Sequence, residues 1–283
     1  MRKILFFVFL PLLVHNLAIA GTGASADTAA ALGKRKYSVG ITYKSNTNYK
    51  GHLNDSIYQP SYSTYFKYYS RKDFRASATF RQTENSDSTE TATTSELDLT
   101  VGFKHAFSKK LKGGINYSHY FFSNNTSSFQ SSFSEDIAAN INYDFGWLYT
   151  YLSTDYSFGS SRDFFVSFDN SHSFDWDDVI KKDDSFSFEP EIDLDFGTQS
   201  YYSRYLTVRK VKRKKGVAKV PVAAYTVSER FTMTGITLIL PISYYIGNWS
   251  FDMAADLVRP LNQPQPKKAP SYGYVTAGIS YEF

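Results

Sequence analysis

From residue 36 onward, apolar and polar side chains alternate with a period of two. That is the pattern of strands whose two faces meet different surroundings. In KYSVGITYK, Tyr37, Val39, Ile41 and Tyr43 fall on one side, with Ser38, Gly40, Thr42 and Lys44 on the other. FRASATFR sets Phe74, Ala76, Ala78 and Phe80 against Arg75, Ser77, Thr79 and Arg81, and SELDLTVGFK sets Leu97, Leu99, Val101 and Phe103 against Glu96, Asp98, Thr100 and Lys104. SFSFEPEIDLDF opposes Phe186, Phe188, Ile192, Leu194 and Phe196 to Ser187, Glu189, Glu191, Asp193 and Asp195. Twelve such segments are predicted: 36–45, 58–69, 74–83, 95–106, 111–122, 133–144, 147–158, 163–176, 185–197, 229–246, 249–259 and 271–283. The sixth also fits a short helix.

The connections sort into two kinds. After the even-numbered strands they are short (SRKD, FSKKL, DFG, DDVIKKDD, GN). After the odd-numbered strands most are longer and polar, as in TENSDSTETATTS and SNNTSSFQSS, with GSSR the short exception. Alternating turns and loops, with strands long enough to cross a bilayer at a tilt, predict an all-β fold: a transmembrane antiparallel β-barrel of about twelve strands. The short turns would be periplasmic and the longer loops extracellular. In hydrocarbon every backbone N–H and C=O needs an internal partner, so a spanning sheet must close on itself. Aromatic side chains near strand ends suit the headgroup boundary; the candidates are Tyr37, Tyr62, Phe74, Phe80, Phe103, Trp249, Tyr281 and Phe283. A secreted soluble β-protein shares the alternation, but has no reason to sort its loops by length.

The ends add location. Met1-Arg2-Lys3, the apolar run ILFFVFLPLLV and Ala18-Ile19-Ala20 form the three parts of a secretory signal peptide. Residues 1–20 are expected to be removed, leaving 21–35 as a flexible N-terminal segment and 36–283 as the barrel. The chain closes on YVTAGISYEF, with Ile279, Tyr281 and Phe283 on one face and an aromatic last residue. This ending resembles the assembly signal of bacterial outer-membrane β-barrel proteins. The resemblance implies insertion by the barrel-assembly machinery into the outer membrane of a Gram-negative bacterium, with outer-membrane lipid and lipopolysaccharide as surroundings. Composition agrees: aromatic content is 18%, mean hydropathy is −0.36, and the longest apolar run after the signal, ITLILPI, cannot span a bilayer as a helix. With no cysteine, disulfides and thiolate metal sites are excluded.

If the apolar faces meet lipid, the charged faces line the lumen. The early strands would contribute Lys44, Lys67, Arg75, Arg81, Lys104 and Lys112, with Glu96 and Asp98 as exceptions. The later strands would contribute Asp136, Asp144, Asp155, Asp163, Asp169, Glu189, Glu191, Asp193, Asp195, Asp252 and Asp256. Opposed charged walls set up a transverse field that orients and selects small polar solutes. The competing reading is that the charges pair across a narrow lumen and plug it, aided by Tyr65, Tyr69, Tyr120 and Tyr149. Twelve strands lie between barrels filled by side chains and barrels holding a channel. A pore and a closed barrel acting through its external loops both fit.

No catalytic constellation, metal-ligand spacing or phosphate-binding glycine loop is present in the sequence, so neither enzyme nor cofactor is expected. A membrane-embedded hydrolase is the remaining enzymatic alternative. His119 and His172 fall by parity on the lipid-facing side with no evident orienting group, and His52 near Asp55 reads as a solvated loop pair. One stretch stands apart: TVRKVKRKKGVAKVPV carries Arg209, Lys210, Lys212, Arg213, Lys214, Lys215 and Lys219 without an acid. Alone it suggests nucleic-acid binding. Within the predicted topology it becomes an extended basic hairpin near 198–228, exposed outside the cell, where phosphate-rich lipopolysaccharide or a local anion excess is the expected contact, and no nucleic acid. The full chain carries +4; the signal removes two positive charges and this stretch seven more, leaving a net −5 on the rest.

Overall fold

The computed structural model describes residues 36–46, 48–49, 52–53, 59–70, 73–84, 93–123, 133–198, 231–262 and 270–283. The signal, the 21–35 segment and the basic stretch lie outside them. Twelve strands form one antiparallel sheet: β1 Lys36–Lys44, β2 Ser61–Tyr69, β3 Phe74–Thr83, β4 Thr94–Ala106, β5 Leu111–Phe122, β6 Phe133–Asp144, β7 Tyr149–Gly159, β8 Arg162–Ser171 continuing as Phe174–Asp177, β9 Asp184–Phe188 continuing as Glu191–Gly197, β10 Thr232–Ile246, β11 Trp249–Pro260 and β12 Tyr272–Glu282. The sixth segment, open between helix and strand, is a strand. A two-residue pair, Asn48–Tyr49 with His52–Leu53, decorates the first loop.

Each strand pairs with its chain neighbours, and β1 pairs with β12 from Ser38↔Glu282 to Lys44↔Thr276, so the sheet closes. β8 and β9 each break once, at His172–Ser173 and Glu189–Pro190, because proline cannot donate to the ladder. The register of the β8–β9 pair is unchanged across the gap, from Ser171↔Glu191 to Phe174↔Phe188. At the short-turn end Gly247 adopts φ 57°, a conformation that glycine enters at low cost, and Gly247-Asn248 closes β10 onto β11 in two residues. The acid-rich turn between β8 and β9 is held by its own carboxylates. Asp184 accepts the N–H groups of Val179, Ile180 and Lys181 at 2.7, 3.1 and 2.8 Å and the Tyr244 hydroxyl at 2.6 Å.

The barrel is inside-out. Among the described residues thirty polar or charged residues are buried against six hydrophobic ones. Large apolar side chains such as Ile41, Leu99, Ile115, Ile192, Met253 and Val275 are exposed. Such an outer face is stable only against hydrocarbon. Aromatics collect toward the short-turn end: Trp249 meets Tyr281 edge-on at 4.9 Å, Tyr281 meets Phe283 at 4.8 Å, and Phe174, Trp176, Phe186 and Phe188 form a chain of ring contacts. Among the described residues two phenylalanines are fully buried inside: Phe165 runs against the alternation, and a register shift between Phe133 and Glu135 turns Phe133 inward, so that their rings lie 6.2 Å apart and perpendicular. A Cβ on Gly197 would come within 2.5 Å of Phe165, so glycine there makes room for the ring.

The lipid-facing band predicts a depth-dependent penalty. Leu99→Arg, on an outer position 41% exposed near the middle of β4, should destabilise the inserted barrel by about 2–4 kcal/mol. Reversible urea unfolding in lipid vesicles measures it, with the same substitution at Tyr62, nearer a strand end, as the milder comparison.

Candidate functional site in the barrel interior

The inward residues divide by strand. Basic groups lie on β1 to β5: Lys44, Lys67, Arg75, Arg81, Lys104 and Lys112 alternate with outward apolar residues and are partly buried. Acidic groups lie on β6 to β9 and β11. Asp136, Asp155, Asp163, Asp169, Glu189, Glu191, Asp193, Asp195 and Asp256 are buried, and Asp252 is half-buried. Asp144 departs from the expectation of a lumen position. It is exposed at the end of β6 and caps the turn by accepting the Gly146 N–H at 2.6 Å.

On the basic side, register explains the geometry. Arg75, Gly102 and Asn116 are consecutive cross-strand partners on β3, β4 and β5. The missing side chain at Gly102 lets Arg75 Nε donate to Asn116 Oδ1 at 2.8 Å across the intervening strand. Tyr65, Gly40 and Ser280 repeat the device over β2, β1 and β12. The Tyr65 ring lies over Gly40, where a Cβ would stand 2.4 Å from it, and its hydroxyl reaches Ser280 and Ser38. Lys67 Nζ sits 5.1 Å from the centre of the Tyr65 ring. Glu96 and Asp98, the acidic exceptions, flank Arg81: the guanidinium donates to Glu96 at 2.8 Å and lies 3.6 Å from Asp98.

On the acidic side, serine and threonine hydroxyls pair with the carboxylates. Ser157 donates to Asp136 at 2.5 Å, Thr198 to Asp163 at 2.6 Å, Ser167 to Asp195 at 2.7 Å, Ser171 to Glu189 at 2.7 Å and Ser243 to Asp252 at 2.6 Å. Glu191 lies in a row with Ser171, Ile239, Asp256 and Tyr274, and its Oε1, like Glu96 Oε1 on the basic side, is buried with no hydrogen-bond partner among the described residues. Lys44 Nζ lies 5.7 Å from the Tyr274 ring centre and within electrostatic reach of Asp256, so the two walls meet at β1, β12 and β11.

The histidines correct the sequence expectation. His119 does have an orienting group: its Nδ1 lies 2.7 Å from Glu135 Oε1, while the Tyr117 hydroxyl donates to Glu135 Oε2. His105 pairs with Asp73 at 2.8 Å, and His172 contacts the Trp147 carbonyl at 2.5 Å. Among the described residues each of these three rings meets a carboxylate or a carbonyl oxygen. The side chains of His52 and Asp55 lie outside the described residues. Among the described residues no group of three His, Cys, Asp or Glu side chains converges on a metal position.

No protein-family model matches the sequence, and no curated protein matches it. Solved structures do. The chain is similar to LpxR from Salmonella typhimurium, with TM-score 0.52 and 6% identity over 86% of this chain and 99% of that one. It is similar to the KdgM porin, with TM-score 0.48 and 11% identity over 87% and 99%, and to the NanC porin, with TM-score 0.46 and 11% identity over 87% and 98%. At these identities the likeness is one of fold: a closed outer-membrane β-barrel.

The Arg81 triad carries a direct test. Arg81→Ala leaves Glu96 and Asp98 facing each other without their cation, and breaking such a buried pair costs about 3–5 kcal/mol. Adding Glu96→Gln and Asp98→Asn should recover most of that loss in the same urea titration.

Proposed function

We propose that the protein is an outer-membrane pore for small hydrophilic solutes, reached after export through the signal at residues 1–20. One observation carries this reading: the interior is lined by charges of opposite sign on different strands rather than by packed apolar side chains. A barrel that served only as a membrane plug would gain nothing from that separation, because buried unpaired charge is costly. Opposed charged walls instead produce a lateral field that aligns dipolar solutes passing between them. The lumen set of this proposal is Lys44, Lys67, Arg75, Arg81 and Lys104 against Asp136, Asp155, Asp169, Glu189, Glu191, Asp193, Asp195, Asp252 and Asp256.

A closed barrel working through its external loops is the second reading. It is favoured by the near-complete burial of inward Thr79, Ser157 and Thr234. In either case the basic stretch 207–222 is proposed as the contact with lipopolysaccharide phosphates. Ile279, Tyr281 and Phe283 are proposed as the residues read by the assembly machinery. Phe283 is well placed for that: it is exposed, and its N–H donates to Tyr37 O at 2.9 Å across the closing seam.

Purified protein in planar bilayers should give discrete conductance steps; a membrane that stays sealed at all voltages favours the closed barrel. Phe283→Ala should lower the yield of heat-modifiable barrel in the outer membrane without lowering synthesis, as gel shift of unheated samples will register.

A further inference from the structure

The acidic half of the interior has properties that a general solute path does not require. Among the described residues, inward carboxylates outnumber inward bases when Glu96 and Asp98 are counted with the acids. Among the described residues the inward faces of β6 to β11 carry no Lys or Arg. Four of the acids, Glu189, Glu191, Asp193 and Asp195, occupy alternate positions on β9, so neighbours along the strand lie about 6.6–6.8 Å apart. Glu191 is 3% exposed, and its Oε1 has no hydrogen-bond partner among the described residues. Glu189, Asp193 and Asp256 all act on it electrostatically. A buried carboxyl in that position is costly as an anion unless a proton or a positively charged partner neutralises it, and an incoming cation can take the place of the proton.

The spacing says which kind. A metal ion draws its oxygens to about 2–2.6 Å. Carboxylates strung along one strand do not converge to that distance, and no group of three does so among the described residues. A ligand that meets them in turn must be elongated and carry several separated donors. We infer that the row Glu189–Glu191–Asp193, with Asp256 beside it, binds linear organic polycations whose ammonium groups are spaced along a flexible chain, with Glu191 as the central contact. This rests on the interior being reachable by solutes, and it narrows their class to amine-bearing ones.

Spermidine is the probe, titrated calorimetrically into the full-length protein in detergent micelles. Spermidine should bind, and N-acetylation, which removes one ammonium, should weaken binding by about tenfold. Glu191→Gln combined with Asp193→Asn should weaken it at least as much, while Asp177→Asn, exposed at the end of β8, should leave it unchanged. Absence of spermidine binding to the wild type, or equal binding of the acetylated form, overturns the site without reference to any variant. Bilayer measurements separate this inference from the pore itself. A conducting barrel with no spermidine affinity refutes the site and keeps the pore; a sealed barrel that binds spermidine refutes the pore and keeps the site.

Discussion

Everything in this molecule follows from the requirement that no backbone amide be left unpaired in hydrocarbon. An open sheet would present a strand edge to lipid, and each orphaned group there costs several kcal/mol. The seam between β1 and β12 removes that edge. It is made by the first and last described strands, so closure cannot precede synthesis of β12. The proline break in β9 survives because its neighbours keep register and because Glu189 N–H and Pro190 O still find ladder partners at Pro241 and His172.

Closure inverts the usual solubility logic. The outward face is apolar, and the inward face must be occupied by side chains that tolerate one another without an oily core. Small hydroxyls meet that demand on the acidic strands, where Ser and Thr satisfy Asp and Glu across neighbouring strands. Glycines meet it on the basic strands, where Gly40 and Gly102 let Tyr65 and Arg75 lie over the wall and bond two strands away. Hydrogen bonds to charged groups are stronger than neutral ones, which offsets part of the desolvation of so many ions. At Glu191 and Glu96 one buried carboxylate oxygen each is left outside that compensation among the described residues.

Parity made the division between lipid face and lumen face legible, because a period of two leaves no third option once one face is known. Leu99 out and Asp98 in required only the spelling of β4. What parity could not supply were partners separated in sequence. His119 finds Glu135 sixteen residues away, across the β5–β6 pair, and no local pattern announces it. Phe133 and Phe165 were hidden for different reasons: Phe165 sits on the polar face of its strand, while Phe133 shares the parity of outward Ile137 and Ile141 until the register shift beside it turns it inward. Asp144 shows the opposite error: its parity is inward, but its place at the strand end makes it a turn cap.

By itself, then, the order of residues determined the strand class, the strand number, the two faces and the sorting of turns from loops. All of these depend on local alternation and on chain lengths between strands. Only the tertiary structure decided which charges meet. Arg81 takes Glu96 and Asp98 while Lys44 turns toward Asp256, choices set by strand register and by closure, which bring residues more than two hundred positions apart into one row. Electrostatic pairing depends on distances of a few ångströms, and those are properties of the closed sheet rather than of any stretch of chain.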